Sequence, residues 1–164
     1  MLSRLFFVGL FASCLVKPNT AVYSFSGSVG GGGIPFTSPA KGRITWIRVW
    51  EIPSAYITGI QLRHQYIWSK VFGRAYGPVL EMSLFDGEGI VQVSGKYHSN
   101  YIYQLIFITS RGRSLTAGQP ALKSFNFYPT HPESELRMLS GHHNGHGITS
   151  LGAHWATGLN STSE

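Results

Sequence analysis

Apolar and polar side chains alternate along most of this chain, which is the pattern of half-buried β-strands. Residues 44–50 are dense in β-branched and aromatic side chains, and residues 56–64 alternate regularly. Residues 79–85 alternate up to an Asp-Gly pair, which is a turn signal. The same rhythm predicts further strands at residues 66–69, 90–93, 101–109, 114–116, 124–128, 135–139 and 148–155. About ten to twelve short strands separated by turns predict an all-β domain, built as a sandwich, a barrel or a prism.

Composition supports the same fold class. Only 12% of the residues are charged, whereas the chain has 20 glycines and 13% aromatic residues. The runs of Ala, Leu, Glu and Lys that long helices favour are absent from the sequence. A chain of 164 residues is long enough to form one domain with a buried core.

The first residues have the pattern of a secretory signal peptide. Arg4 supplies a basic start, and residues 5–16 form an apolar run that is too short to span a bilayer. We expect a signal peptide at residues 1–14, with cleavage between 14 and 21, and the alternative is a membrane anchor. The folded domain is then residues 22–156, followed by a polar tail at residues 157–164. The mature chain is expected to be secreted and to have no transmembrane segment.

Secretion changes what the cysteine and asparagine content implies. Cys14 is the only cysteine, so the mature chain is expected to contain no disulfide and no thiol nucleophile or thiolate metal site. Asn160 begins the triplet Asn-Ser-Thr, an acceptor for N-glycosylation in the secretory pathway.

The net charge is moderately basic. It is +6 for the whole chain and +4 for residues 22–164, which exclude Arg4 and Lys17. In a secretory setting an anionic polysaccharide is a more natural partner than nucleic acid, and simple solubility is the alternative explanation. The residues assigned to polyanion binding are Lys41, Arg43, Lys70, Arg74 and Lys96.

Two glycine-rich segments are candidates for ligand-binding loops. Residues 30–33 are four consecutive glycines, without the Gly-Lys-Ser/Thr ending of a phosphate loop. Residues 140–155 read SGHHNGHGITSLGAHW and bring glycines and histidines together. His142, His143 and His146 suit a metal-binding or pH-responsive loop, and the alternative is an exposed polar loop without metal.

Motifs of the common enzyme classes are missing. The sequence contains no Gly-x-Ser-x-Gly, His-Glu-x-x-His or Cys–His arrangement. Its seven acidic residues are spread along the chain. We therefore predict a binding protein rather than an enzyme, with no cofactor.

Several segments in this order resemble a jacalin-related lectin. They are GSVGGGGIPF, the strand pair ITWIRVW and ITGIQLRH, VQVSGKY followed by YQLIFITSRGR, and SGHHNGHGITSLGAHW. The likeness is strongest to the mammalian secretory-granule branch, the zymogen granule protein type, and it covers nearly all of the mature chain.

This resemblance implies a β-prism I fold, with three four-stranded antiparallel sheets around a pseudo-threefold axis. It also implies a metal-independent site for glycans or glycoproteins where three loops meet, here residues 31–34, 96–101 and 141–149. The likeness to the granule branch also implies binding of sulfated glycosaminoglycans. The carbohydrate-binding residues implied by the resemblance are Gly32, Gly33, Ile34, Tyr101, Gly145, His146, Gly147, Ile148 and Thr149.

The third loop departs from the family pattern at one important position. Thr149 stands where the family has an Asp that accepts hydrogen bonds from two sugar hydroxyls, and the loop is one residue longer. Ile34 stands where the granule branch has a lysine. Two hydrogen bonds to a charged group, at about 1.5–3 kcal/mol each, correspond to a hundredfold or more in affinity. We therefore predict weak mannose-type binding, and the alternative is a polyanion-binding or protein-interaction module that has lost the sugar site.

Overall fold

The computed structural model describes residues 21–39 and 41–158, and the regular structure in these ranges is entirely β. The predicted signal peptide and Asn160 lie outside the described residues. Thirteen strands are found in the described part of the chain. They are β1 (Tyr23–Gly30), β2 (Ile34–Thr37), β3 (Ile44–Glu51), β4 (Ile57–His64), β5 (Ile67–Trp68), β6 (Phe72–Gly73), β7 (Val79–Ser83), β8 (Ile90–Tyr97), β9 (Ile102–Thr109), β10 (Ser114–Gly118), β11 (Lys123–Phe127), β12 (Ser134–His143) and β13 (Ile148–Thr157).

The strands form three antiparallel sheets. The first has the order β1-β13-β12-β2 and the second has the order β10-β9-β8-β11. The third has β7, β3 and β4 in sequence, and its outer strand is divided into β5 and β6, which both pair with β4. The prediction of an all-β prism with three four-stranded sheets is confirmed, with one edge strand broken into two short pieces.

The inward faces of the three sheets form one core. Strand β3 buries Ile44, Ile47 and Val49, with a register shift after Ile44, whereas β13 is buried at nearly every position. Trp155 on β13 is among the largest fully buried side chains, and its Nε1 donates to Ser26 Oγ on β1 at 2.7 Å. The two ends of the described chain are therefore joined within one sheet.

Three segments that the sequence pattern places between strands belong to strands in the structure. Residues 94–97 are part of β8, Gly73 is part of β6, and β12 continues to His143. Gly95 and Gly141 look like turn signals, but a Cβ at either position would collide with a carbonyl oxygen of the neighbouring strand. These glycines permit close backbone approach inside a sheet rather than a turn.

Candidate carbohydrate-binding site

The loops that follow β1, β8 and β12 meet at one end of the prism. The Gly31 amide donates to the Thr149 carbonyl oxygen at 2.8 Å, which joins the first loop to the third. A Cβ on Gly31 would collide with the Ser99 carbonyl oxygen, so the first loop also lies directly on the second. Asn144 Nδ2 donates to Tyr101 Oη at 2.9 Å, which joins the third loop to the second. The three loops named from the sequence therefore form one continuous surface.

The glycine run allows the first loop to lie close to β12 and β13. Gly30 and Gly33 have φ values of 99° and 152°, in the region that side chains rarely adopt. A Cβ on Gly33 would lie 2.6 Å from the His143 carbonyl oxygen. At Gly32, by contrast, a Cβ would meet nothing within 4 Å. Within the described residues the amides of Gly32 and Gly33 have no acceptor, so they are open to a ligand.

The third loop is shorter than the predicted residues 141–149. His142 and His143 belong to β12, where they pair with Pro35 and Ile34 of β2, so the turn is only residues 144–147. Pairing on both sides of β12 explains why the strand extends this far.

Asn144 organises that turn. Its Oδ1 accepts hydrogen bonds from the amides of His146 at 3.0 Å and Gly147 at 3.2 Å. Two backbone donors of the third loop are thereby used inside the loop. The donors left to a ligand on this surface are mainly those of the glycine loop.

Thr149 ties the third loop to the first and does not face solvent. Its side chain is only 3% exposed, and its hydroxyl donates to the Gly32 carbonyl oxygen at 2.9 Å. Gly147 and Ile148 are also buried, whereas Gly145 and His146 are exposed. The three loops contain no Asp or Glu, so the loops themselves offer no carboxylate acceptor.

An aromatic pair lies beside the three loops. The rings of Tyr56 and Tyr101 stack with centroids 3.8 Å apart and an interplanar angle of 5°, and Tyr103 meets Tyr56 edge-on. Burial and the neighbouring Tyr101 raise the pKa of Tyr56, and nearby Arg74 opposes that shift. Sequence reasoning did not identify Tyr56 as a site residue. Tyr56 is the last residue of the β3–β4 connection, directly before β4, and nothing in its own segment indicates that it meets Tyr101.

The three histidines do not converge on one point. His142 Nδ1 is 2.7 Å from Ser150 Oγ, His143 has its Nδ1 buried without a partner, and His146 is exposed at the turn. Throughout residues 21–39 and 41–158, no group of three or more His, Cys, Asp or Glu side chains is arranged to hold a metal ion.

The residues assigned to polyanion binding are dispersed. Arg43 is held by Glu135, with its Nε and Nη2 at 2.7 and 2.6 Å from the two carboxylate oxygens. Lys96 donates to Ser124 Oγ at 2.7 Å on the second sheet. Arg74 lies near the stacked tyrosines, as its opposing effect on the pKa of Tyr56 indicates. The two remaining members, whose side chains are exposed, are Lys41 and Lys70.

Comparison with known proteins agrees with this geometry. The family model of the Jacalin-like lectin domain matches residues 26–154. This chain belongs to the jacalin-like lectin family. A relative, zymogen granule membrane protein 16 from Rattus norvegicus, is 42% identical over 138 residues, which are 82% of this chain and 81% of that protein. The resemblance to the granule branch is thereby confirmed.

Solved structures of lectins have the same fold. A prostate-specific WGA16 glycoprotein lectin matches 81% of this chain and 100% of its own, with a TM-score of 0.74 at 30% identity. Malaysian banana lectin matches 84% of this chain and 100% of its own, with a TM-score of 0.70 at 19% identity, which supports the fold alone. In the described ranges of this lectin-family chain, no helix is both long and apolar enough to cross a membrane.

Proposed function

We propose that this protein is a secreted, metal-independent lectin that binds glycans on the surface formed by the three loops. The observation that carries the proposal is the direct contact among the loops around two glycine amides without acceptors. Membership of a lectin family supports it and agrees with a binding protein rather than an enzyme. Secretion rests on the predicted signal peptide, and the granule name of the relatives favours passage through secretory granules.

The site holds a glycan through neutral groups. The Gly32 and Gly33 amides donate to sugar oxygens, and the stacked pair of Tyr56 and Tyr101 lies beside the loops as an apolar surface. Because Thr149 is buried and uncharged, no carboxylate accepts from two sugar hydroxyls. We therefore expect single mannose units to bind very weakly and longer glycans to bind better, since they contact more of the surface.

A glycan array probed with the purified protein tests this function. Oligosaccharide binding is expected, and Tyr101→Ala is expected to weaken it about fivefold to tenfold because one aromatic face is worth about 1–1.4 kcal/mol. Tyr101→Phe is the matched control, since it keeps the ring and loses only the hydrogen bond from Asn144. Silence on all neutral glycans would refute the proposal.

A second candidate function is binding of sulfated glycosaminoglycans. It is favoured by the basic balance of the chain and by the absence of acidic residues from the three loops, with Arg74 close by. Retention on immobilised heparin is expected to fall as salt rises, because exposed charges are screened. Arg74→Met is expected to elute earlier than Arg48→Met, whose arginine already pairs with Glu81 at 2.7 Å. Retention that does not change with salt would exclude this ionic mechanism.

A further inference from the structure

A concave surface lies at the end of the prism opposite the three loops. It is a cleft of about 1260 Å³ between the first and third sheets, and we call it the distal cleft. Strand β13 runs from Ile148 at the loops to Thr157 in the cleft wall, which is about 30 Å for ten residues. The distal cleft is therefore separate from the candidate carbohydrate-binding site. Its volume is somewhat larger than the roughly 300–1,000 Å³ of typical small-molecule pockets.

Exposed aromatic side chains border the distal cleft. Tyr23, Phe25 and Tyr66 are 69%, 53% and 87% exposed, and all three line it together with Trp46. Exposed aromatic rings gathered on one concave surface are a frequent mark of a binding site. They offer a flat apolar surface to the body of a ligand.

The polar groups of the same cleft are dominated by guanidinium groups. Arg43, Arg63 and Arg137 line it, and among the described residues the carboxylates beside them are those of Glu135 and Asp86. Glu135 is shared by Arg43 and Arg137, and Arg63 has no ion pair among the described residues. The cleft therefore carries an excess of positive charge.

The unpaired polar atoms in this wall are all donors. Arg137 is only 9% exposed, and its Nη2 lies 3.2 Å from Glu135 Oε1 without a well-aligned hydrogen bond. Arg63 Nε and Trp46 Nε1 are also buried without an acceptor. Buried donors without acceptors are costly and uncommon. The wall is short of acceptors around these groups, and Arg63 is partly exposed as a residue, so its charge can still be presented to an anionic group in the cleft.

We propose that the distal cleft binds a small amphipathic organic anion, whose acidic group pairs with Arg63 and Arg137 and whose apolar body lies against Tyr66, Phe25 and Trp46. Arginine suits this role because its planar fork pairs with carboxylates and sulfonates and also stacks on aromatic rings. Arg63 already lies 5.8 Å from the centre of the Tyr66 ring. The proposal does not depend on the glycan-binding function.

Two fluorescent probes with the same ring system provide the test. 8-Anilinonaphthalene-1-sulfonate carries an acidic group, and N-phenyl-1-naphthylamine is its uncharged counterpart. The sulfonate is expected to bind the purified protein at one site, about tenfold or more tighter than the neutral probe. Arg63→Met keeps an apolar stem and removes the charge, so it is expected to remove this preference and leave the neutral probe unchanged.

Matched variants keep the test decisive. Arg48→Met removes an arginine of the same sheet that does not line the cleft, and it is expected to change neither probe. Tyr66→Ala alters an almost fully exposed residue and is expected to weaken both probes without loss of folding. A glycan bound at the loops is expected to displace neither probe. Equal affinity of the two probes, or an undiminished preference in Arg63→Met, would overturn the proposal.

Discussion

Replacing Glu88 by glutamine is expected to lower the free energy of unfolding by about 3 kcal/mol. Glu88 is only 1% exposed, and its carboxylate accepts from Arg113 Nε at 2.9 Å and Nη2 at 2.7 Å. It also accepts from the Thr109 hydroxyl and from the Phe85 amide. A glutamine keeps the volume, loses the charge and turns one acceptor into a donor that faces other donors. The network joins the end of β7 to the β9–β10 turn, so this change loosens two sheets together.

The matched control for this prediction is Glu81→Gln. Glu81 pairs with Arg48 at 2.7 Å, but the two side chains are 42% and 34% exposed. Exposed pairs contribute little, so the change is expected to stay within about 0.5 kcal/mol. Urea unfolding of both variants gives the comparison. An equal loss in the two variants would contradict the role assigned to the buried network.

Acid should act through the same carboxylate. The hydrogen bonds from Arg113, which outweigh the effect of burial, lower the pKa of Glu88 from 4.5 to about 2. Because the folded pKa is below the unfolded one, the stabilisation from Glu88 is complete above about pH 4.5 and is lost as the pH falls toward 2. The unmodified protein is therefore expected to lose stability over this window, and Glu88→Gln is expected to lose less.

Most of the strands were predictable from the sequence because alternation of apolar and polar side chains reports burial, as at Ile47 and Val49 of β3. Strands β1 and β2, on either side of the glycine run, were not among the predicted strands. The ends of the strands were less predictable, because a glycine in a sequence marks either a turn or a close approach of two backbones. Gly141 is of the second kind, since β2 and β13 flank it on both sides.

The sequence predicted which loops form the candidate site, but it did not predict the side-chain contacts within it. The glycine run and the segment after β12 were identified as loops because clustered glycines permit the backbone conformations and close approaches that binding loops need. The stack of Tyr56 on Tyr101 was not, because the two residues are far apart in sequence and meet only through sheet packing. The role of Asn144 was not predictable either. Its side chain accepts hydrogen bonds from two backbone amides that would otherwise be available to a ligand.

The distal cleft left no signal in the sequence. Its arginines and aromatic residues lie on five different strands or their connections. Within its own segment, each of them either is an ordinary polar residue or fits the usual alternation of polar and apolar residues in a strand. The sequence analysis grouped Arg43 with four other basic residues as a polyanion-binding set. In the structure Arg43 pairs with Glu135 and lines the distal cleft, which the other four do not line. Only the three-dimensional arrangement brings Arg63 and Arg137 to one wall.

Gly31→Ala is expected to separate the first two loops and to abolish measurable glycan binding. A Cβ at this position would collide with the Ser99 carbonyl oxygen, and backbone atoms cannot turn aside as a side chain can. The strain is expected to lower the free energy of unfolding by about 1–3 kcal/mol. The hydrogen bond from the Gly31 amide to Thr149 would lengthen with it. Glycan binding and urea unfolding measure the two effects separately.

Two neighbouring glycines make this prediction specific. At Gly32 and at Gly27 a Cβ would meet nothing within 4 Å, and neither residue has a positive φ, so both alanine variants are expected to fold with unchanged stability. Gly32 lies on the loop surface, so its methyl group is expected to block a glycan, whereas Gly27 lies in the irregular part of β1 and its variant is expected to bind normally. If Gly32→Ala binds glycans as well as Gly27→Ala does, the ligand does not lie on the glycine loop. If Gly31→Ala also binds normally, the contact between the first and second loops is not needed for the site.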